Sequence, residues 1–363
     1  MANKKILFIA SHRKDRSPGQ RYRFEQYFSF LQENGFYCEL AYFLTESDDK
    51  VFYSPGNIIK KFLITIRSAS KRMADVRRAG QFDIVFIQRE AFMMGSTFFE
   101  KQFSRSTAKI VFDFDDSIWL LDTSNANKMW QWMKSAKKTS KIIALSDIVF
   151  AGNRYLAEYA SRFNENVKII PTTIDTKSFH RIEEYKNSDI ICIGWSGSHT
   201  TIKHFEAAIP VLKKLKYKYG ARICFKVMGD PQFENKDLCI KGIPWSSATE
   251  VHILSTFDIG IMPLPDDQWV KGKCGLKGLS YMALEVPTVM SAIGVNPEII
   301  NDGVNGFLAA SEEEWVDKIS SLVESFDLRK KLGANGRETV VNRYSVESQK
   351  NNYLNAFNEL MKR

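Results

Sequence analysis

Short apolar runs alternate with longer runs of helical spacing along most of the chain. ILFIA, DIVFIQ and KIVFDF read as buried strands, and the segments between such runs repeat apolar residues every three or four positions. Strands that alternate with helices in this way favour parallel sheets covered by helices, which predicts an α/β fold. The alternation starts afresh at DIICIGWSGS, after a polar stretch without periodicity. We therefore expect two similar α/β units.

The chain has 363 residues, too many for one typical core and suitable for two domains. We expect a first domain over 1–171, a linker over 172–188, a second domain over 189–344 and a final helix over 345–363. Shorter signals predict local features: one helix over RYRFEQYFSFLQENG that closes on Gly35, a helix capped by Asn153, a helix kinked or split at Pro210, and a Trp-rich helix around Met129–Met133.

Residues 57–80 predict a long, basic, amphipathic helix. Its apolar stripe recurs at three-and-four spacing and consists of Ile58, Ile59, Phe62, Leu63 and Ile66, continued by Met73 and Val76. The other faces carry seven Lys and Arg side chains against the single acid Asp75. Such a helix is typical of an element that lies on an anionic membrane surface. The other interpretation is a surface helix whose stripe packs on its own sheet.

The net charge of +9 lies entirely in the first half, because residues 1–170 hold 27 Lys and Arg against 18 Asp and Glu. An anionic partner should therefore meet that half. Nucleic acid is not expected, since no recognised binding fold or interleaved aromatic pattern accompanies the charge. Five cysteines without paired spacing predict reduced thiols and no zinc site. We expect a cytoplasmic protein, peripheral on the inner face of the cell membrane, with no leader and no membrane span.

The stretch 262–298 is the most informative for function. An apolar strand, a loop with Gly272 and Gly275, a helical run and a second strand follow one another, which points backbone N–H groups at an anion. Lys273 and Lys277 share a face if the helix begins near Lys273 or Cys274. Cations at a helix N-terminus interact unfavourably with the helix dipole. A bound polyanion such as a diphosphate would offset this cost, which would explain two lysines at this place. Two solvated lysines beside a loop are the alternative.

In the first domain, charged residues follow apolar strands, where an open α/β sheet places its ligands. They are Arg89 after DIVFIQ, and Asp113, Asp115 and Asp116 in DFDDS. Arg21, shortly after Gly19, begins a predicted helix and is expected either to meet an anionic acceptor or to be solvated. The DFDDS motif has three interpretations: an Mn²⁺-binding D-x-D, a phosphatase nucleophile loop of the haloacid-dehalogenase type with Asp113 as nucleophile, or an acid cluster that faces a cleft.

Several segments resemble family 4 glycosyltransferases, in the order that the family has them. They are KIVFDFDDSIWLLD, VKIIPTTIDTKSF, IGWSGSHTTIK, VMGD, and GKCGLKGLSYMALEVPTVMSAIGVNPEII followed by NDGVNGFLA. The branch most similar to this chain carries a lysine-cysteine-glycine-x-lysine loop. The resemblance implies the GT-B fold, in which two Rossmann-like domains face each other across a cleft and the C-terminal helix crosses back to the first domain.

The resemblance also implies the activity. We expect transfer of a sugar from a UDP- or GDP-linked donor to a hydroxyl of a lipid-linked or polysaccharide acceptor in cell-surface glycan synthesis, with no metal and no cofactor. Retention at the anomeric carbon is implied by the family alone. Donor-binding positions would be Gly197, Ser198, Gly229, Asp230, Ile243, Gly275, Ser280, Asn296 and Glu298. The catalytic groups would be Lys273, Lys277, Asp115 and Asp116, with Gly19, Arg21 and Arg89 on the acceptor side.

The chain departs from the family in two respects. Most members carry two glutamates, eight residues apart, that hold sugar and ribose hydroxyls, and this chain has Gly272 and Ser280 there. Many members also have an arginine where Trp195 stands. These departures leave a non-catalytic sugar-nucleotide-binding protein as an alternative function, beside the phosphatase that would use Asp113.

Overall fold

The structure is a computed structural model that describes residues 4–54, 56–120, 135–181 and 189–362. It divides into two compact units. Unit 1 comprises Met1–Pro171 with Lys350–Arg363, and unit 2 comprises Thr172–Gln349. The Trp-rich helix expected around Met129–Met133 lies outside the described residues.

Unit 1 is built on a sheet of six parallel strands in the order β2-β1-β3-β4-β5-β6. The strands are β1 Lys4–Ile9, β2 Phe36–Ala41, β3 Ile84–Gln88, β4 Lys109–Phe114, β5 Ile148–Ala151 and β6 Val167–Ile169. The helices are α1 Pro18–Arg21, α2 Phe28–Glu33, α3 Glu46–Phe52, α4 Ile58–Arg78, α5 Phe98–Phe103, α6 Lys137–Leu145 and α7 Arg154–Ala160. The strands form where the apolar runs predict them.

The last helix of the chain, α16 Val346–Leu360, completes the core of unit 1. Tyr353 stacks on Tyr27 with ring centroids 4.3 Å apart, and its hydroxyl donates to the carbonyl of Arg23. Phe357 packs against the rings of Phe86 and Phe150. The C-terminal helix therefore packs on the first sheet, as the resemblance implies.

The expected single helix after Gly19 is wrong. The segment forms α1, a 3₁₀ turn over Glu25–Tyr27 and α2, and Phe24 between them leaves helical geometry with φ −141°. The cause is Arg23, whose fully buried guanidinium pairs with Asp113 and donates to the carbonyl of Ile170. The break between α1 and the 3₁₀ turn thus falls at the residue whose side chain is buried against Asp113. Arg23 therefore does not meet an external anion.

The basic helix α4 forms as predicted, but three of the four residues buried on its packed side are polar or charged. The buried residues are Ile64, Ser68, Arg72 and Asp75. Arg72 is fully buried, pairs with Asp75 and donates to the carbonyls of Ala10 and Ala41. The interpretation in which the apolar stripe packs on the sheet is wrong for its first half, because that half faces away from the sheet.

Unit 2 is built on a seven-stranded sheet in the order β13-β12-β11-β7-β8-β10-β9, parallel except for the β9–β10 pair. The strands are β7 Ile191–Ser196, β8 Ile223–Met228, β9 Glu234–Asn235, β10 Ile240–Ile243, β11 Ile259–Met262, β12 Thr288–Ser291 and β13 Phe307–Ala309. The helices are α8 Ile202–Glu206, α9 Ile209–Tyr219, α10 Glu250–Leu254, α11 Gln268–Lys271, α12 Leu276–Met282, α13 Asn296–Ile299, α14 Glu312–Glu324 and α15 Phe326–Thr339.

Local sequence signals explain several boundaries. The Asn153 side chain accepts a hydrogen bond from the Leu156 amide at 2.9 Å, which confirms the predicted cap of α7. Pro210 stands in the first turn of α9, so it separates α8 from α9 and does not kink one helix. Proline is tolerated there because the first helical amides have no partner within the helix. In the described ranges, no helix is long and apolar enough to cross a membrane.

The buried pair of Arg23 and Asp113 gives a stability prediction. Both side chains are fully buried. Asp113→Asn would leave Arg23 as an uncompensated buried charge, so we expect a loss of about 3–5 kcal/mol in the free energy of unfolding, measured by urea denaturation. Asp237→Asn is the control, because Asp237 pairs with Lys213 on the surface, and it should leave stability unchanged. Equal stability of the two variants would contradict the prediction.

Candidate functional site

In unit 2, the order of the strands selects one edge of the sheet. Strand β7 comes first in this unit and lies between β8 and β11, so the chain winds outward in both directions from that point. Ligands of open α/β sheets bind beside such a switch point, at the carboxyl ends of the strands. The loops that leave β7, β8 and β11 carry Gly197, Gly229 and the stretch from Pro263 to Gly275.

The first two loops touch through their backbones. A Cβ atom on Gly229, which has φ +115°, would lie 2.0 Å from the carbonyl oxygen of Gly197. The Gly197 amide donates to the carbonyl of Met228, and the Gly229 amide donates to the carbonyl of Ile243. Ile243, an expected donor-binding residue, thus holds the Gly229 loop by its main-chain carbonyl. Only glycine allows this approach of the two loops.

The loop after β11 leads into its helix later than the sequence predicts. Helix α12 begins at Leu276, after Gly275 in the left-handed region with φ +72°. A Cβ atom on Gly275 would lie 2.3 Å from Ile299 Cδ1, so glycine is needed for both space and conformation. The helix does not begin near Lys273 or Cys274. Lys273 therefore stands before the helix, and Lys277 lies in its first turn.

Both lysines lie beside tryptophans. The Lys277 Nζ lies 5.4 Å from the centre of the Trp195 ring, and the Lys273 Nζ lies 5.7 Å from that of Trp269. The Trp195 indole is fully buried, and a Cβ atom on Gly197 would lie 2.1 Å from it. The Gly197 loop and the Lys277 ammonium are therefore joined through one indole. A cation near an aromatic face is attracted by the ring quadrupole.

His204 lies near these lysines and is absent from the residues expected from sequence. It is 3% exposed, and its Nδ1 atom has no hydrogen-bond partner in the structure. Burial, together with the charges of Lys277, Lys273 and Lys203, lowers the pKa of His204 to about 4, and the charge of Asp267 opposes this shift. Neutral at physiological pH, the imidazole is ready to donate to or accept from a ligand. Its position six residues after Ser198, an expected donor-binding residue, was a usable signal.

Asp230 and Ser198 also lie at this edge. The buried Asp230 carboxylate is 2.9 Å from the Nδ1 atom of the exposed His199, and it accepts from the Gln232 amide. The Ser198 hydroxyl is exposed and lies within hydrogen-bond distance of the hydroxyls of Thr200 and Thr201. These two residues, both expected to bind the sugar-nucleotide donor, therefore lie in the loops after β7 (Ser198) and β8 (Asp230).

Of three other residues expected to bind the donor, two have side chains engaged within the protein. Ser280 is 3% exposed and donates its hydroxyl to the carbonyl of Leu276 at 2.9 Å. Asn296 is 1% exposed and donates its side-chain amide to the carbonyl of Ser291 at 2.9 Å. Glu298 is exposed in the first turn of the four-residue helix α13. The first two side chains explain local folding more directly than ligand binding.

Unit 1 has its own cluster at the carboxyl ends of β3 and β4. The Arg89 guanidinium donates to Asp115 at 2.8 Å and to Asp116 at 2.5 Å. Burial opposes the charge of Arg89, but the two carboxylates outweigh it and raise the pKa of Arg89. A Cβ atom on Gly19 would lie 3.7 Å from Asp115 Oδ2. Arg89 adopts φ +61°, a left-handed conformation that is uncommon for residues other than glycine and costs free energy.

The remaining acceptor-side residue, Arg21, is 5% exposed, and its guanidinium lies 4.9 Å from the centre of the Tyr22 ring. Arg21 is therefore neither solvated in a first helical turn nor open to an anion from solvent. Asp113 is fully buried, with both carboxylate oxygens bonded to Arg23, so the phosphatase alternative that uses Asp113 as nucleophile is wrong. In the part of the chain that the structure describes, no group of three His, Cys, Asp or Glu residues could hold a metal ion.

A second cluster of charged side chains in unit 1 follows β1. The sequence did not predict it. The Asp49 carboxylate accepts from Arg13 at 2.5 Å and from Arg16 at 2.8 Å, and its other oxygen lies 3.5 Å from His12 Nδ1. The Tyr53 hydroxyl lies 3.2 Å from His12 Nε2. Burial lowers the pKa of His12. A histidine directly after the first buried strand was the available signal.

Comparison with solved structures decides the architecture. Sucrose-phosphate synthase from Thermosynechococcus elongatus aligns with a TM-score of 0.73 and 13% identity over 99% of both chains. A glycosyltransferase from Rickettsia africae aligns with a TM-score of 0.70 and 15% identity over the whole of both chains. The chain has the GT-B fold. HepE from Anabaena, in complex with UDP-glucose, aligns at 0.66 and 13% identity over 98% of this chain and 99% of HepE.

Sequence comparison adds a match in unit 2. Residues 187–325 match the profile of the family described as glycosyl transferases group 1. This segment contains Gly197, Gly229, Lys273 and Lys277, whereas the Arg89 cluster of this GT-B chain lies outside it. Among curated proteins, no sequence matches.

His204 gives a pH prediction for the GT-B chain. The unfolded chain takes up a proton near pH 6.5, whereas folded His204 does so only near pH 4, so the stability from neutral His204 is lost as pH falls through this window. The loss should approach about 3 kcal/mol. In His204→Gln this dependence should disappear, whereas the exposed His252→Gln should keep it. Thermal unfolding of each variant between pH 4 and 7 measures how its stability depends on pH. The lowered pKa of His12 contributes equally in all variants and does not affect the comparison. Identical pH profiles of wild type and His204→Gln would contradict the assignment.

Proposed function

We propose that the protein is a glycosyltransferase that moves a sugar from a nucleoside-diphosphate sugar to the hydroxyl of an acceptor. The observation that carries the proposal is the arrangement in unit 2, where Lys277, the Gly197 loop and Trp195 meet at the end of β7. Lys273 and His204 add to this arrangement, since both lysines depress the pKa of His204. A compact group of two cations, glycine loops and a neutral imidazole suits a diphosphate.

The donor chemistry follows from charge. Departure of the nucleoside diphosphate develops negative charge on its oxygens, which Lys273, Lys277 and the amides after Gly275 would neutralise. Neutral His204 would supply a hydrogen bond without adding charge repulsion between itself and the lysines. Tryptophan at 195 adds no charge of its own, so the positive charge of this site comes from Lys273 in the loop before α12 and from Lys277 in the first turn of α12.

Unit 1 would handle the acceptor. Asp115 and Asp116 would orient the attacking hydroxyl by accepting its hydrogen bond, and Arg89 would hold both carboxylates in place. Because Arg89 already neutralises the pair, we assign the carboxylates to orientation of the hydroxyl. Well-oriented reactants avoid much of the entropy cost of reaction.

The finer part of the proposal concerns identity. We infer a member of family 4, hexosyl-transferring, in the branch with the lysine-cysteine-glycine-x-lysine loop, retaining and independent of metal. The acceptor would be lipid-linked or a polysaccharide, in cell-surface glycan synthesis at the cytoplasmic face of the cell membrane. The donor would be UDP- or GDP-linked. HepE from Anabaena in complex with UDP-glucose, and TarM from S. aureus in complex with UDP, support the UDP-linked choice.

The donor site predicts nucleotide-dependent stabilisation. UDP or GDP at about a hundred times its Kd should add about 2.7 kcal/mol to stability, measured by thermal shift beside ADP and CMP. Lys273→Ala combined with Lys277→Ala should abolish the shift, because the diphosphate loses both cations.

The matched control is Lys330→Ala combined with Lys331→Ala, an exposed lysine pair on α15 that should leave the shift intact. A shift that survives the loss of Lys273 and Lys277 would remove these lysines from the site. The alternative, a non-catalytic binding protein, predicts a thermal shift with nucleotide but no release of nucleoside diphosphate from any sugar nucleotide. Release is measured with membrane extract as the source of acceptor.

The acceptor side predicts a separation of binding from turnover. Asp115→Asn combined with Asp116→Asn should leave the nucleotide-dependent thermal shift unchanged, because both residues lie in unit 1. The same variant should lower diphosphate release in the presence of membrane extract by about a hundred-fold or more. Unchanged release would contradict the role of these carboxylates.

A further inference from the structure

The first half of α4 presents large apolar side chains to solvent. The exposed fractions are 55% for Ile58, 78% for Ile59, 61% for Phe62, 58% for Leu63 and 49% for Ile66. Their spacing of three and four residues places them on one face of the helix. Single exposed apolar residues are ordinary, but a contiguous patch of this size marks an interaction surface.

The packing of α4 fixes this face outward. The opposite side carries Ile64, Ser68, Arg72 and Asp75, which are buried. Arg72 cannot leave its carbonyl partners on Ala10 and Ala41 without stranding a buried charge and two acceptors. The helix therefore cannot rotate to bury its apolar face on its own sheet.

The flanks of the apolar face are basic. Lys60 is exposed, Lys61 is half-buried and Arg67 has 51% of its side chain exposed while it pairs with Asp48. The only acid within Ile58–Arg78 is Asp75, on the buried side. An apolar face between basic flanks on a helix of modest overall hydrophobicity matches the interface of an anionic bilayer.

Charge also argues against a second copy of the chain as the occupant. In a two-fold dimer the same patch meets itself, so Lys60 and Lys61 would face a partner patch that is equally basic. Like charges at close range disfavour that contact, whereas anionic headgroups compensate them. The first 170 residues carry the whole net charge of +9, which adds a longer-range attraction between this part of the chain and an anionic membrane.

We propose that α4 is a docking element for anionic lipid. Ile59, Phe62, Leu63 and Ile66 enter the boundary between headgroups and acyl chains, and Lys60 and Lys61 bind lipid phosphates. The inference deepens the proposed function, because it places unit 1 at the membrane surface where a lipid-linked acceptor is held. It rests on the proposed function only for the idea of such an acceptor.

Vesicle sedimentation of the full chain tests the proposal. The vesicles are phosphatidylcholine alone, and phosphatidylcholine mixed in equal parts with phosphatidylglycerol. We expect binding to the anionic vesicles that weakens as salt is raised. Ile59→Ser combined with Phe62→Ser should lower the partition coefficient by about ten-fold or more. Lys60→Gln combined with Lys61→Gln should lower it by about five-fold per residue.

Matched controls lie on unit 2. Tyr217→Ser removes a 95% exposed aromatic side chain, and Lys330→Gln combined with Lys331→Gln removes an exposed lysine pair. Neither should change partition. All variants alter exposed or half-buried side chains, and an unchanged thermal unfolding midpoint together with an unchanged nucleotide shift verifies their folding and their donor site.

Three outcomes would overturn the proposal: no binding to anionic vesicles, equal binding to neutral vesicles, or a solution dimer that dissociates in Ile59→Ser with Phe62→Ser. Vesicle binding without any nucleotide shift would support the docking element while refuting the proposed donor site. The two ideas therefore fail separately.

Discussion

Parallel strand pairing is the constraint on which both units depend. All six strands of unit 1 run in one direction, and in unit 2 only β9 runs against its neighbour. Parallel pairing brings the carboxyl ends of successive strands to one edge, however far apart they lie in sequence. Gly197, Gly229 and the Lys273 loop meet for this reason in unit 2, and Arg89 meets Asp115 in unit 1. The glycine contacts and ion pairs then fix the spacing that pairing alone leaves open.

The sequence was sufficient for what is local. Apolar runs bounded by turn residues predicted the strands, and the α/β two-unit architecture followed from their alternation with helices. Caps and prolines also acted locally, as Asn153 and Pro210 illustrate. Periodicity in α4 correctly identified the residues that share a face. It could not say which face is packed, because a buried Arg72 with carbonyl partners outweighed the usual burial of the apolar stripe.

The candidate site shows the same division. The lysine loop is contiguous in sequence and was visible there, whereas His204 matters because residues about seventy positions later lie beside it. Arg23 and Asp113 are ninety residues apart, and nothing near either residue announced their pairing. Ser280 and Asn296 were polar residues in the right segment, yet their hydrogen bonds turn inward to the backbone. Residue type gives the capacity to bind a ligand, and only the fold decides how that capacity is used.

The position of α16 has a consequence for biosynthesis. Its aromatic side chains Tyr353 and Phe357 belong to the core of a unit whose strands are all made before residue 170. On the ribosome, the sheet of unit 1 emerges first, but Tyr27 and Phe150 stay uncovered until α16 has been made. Unit 2, encoded in between, has its complete sequence available earlier, so it can reach its native state while the older half is still open. The unit whose synthesis starts first can therefore be the one that is completed last.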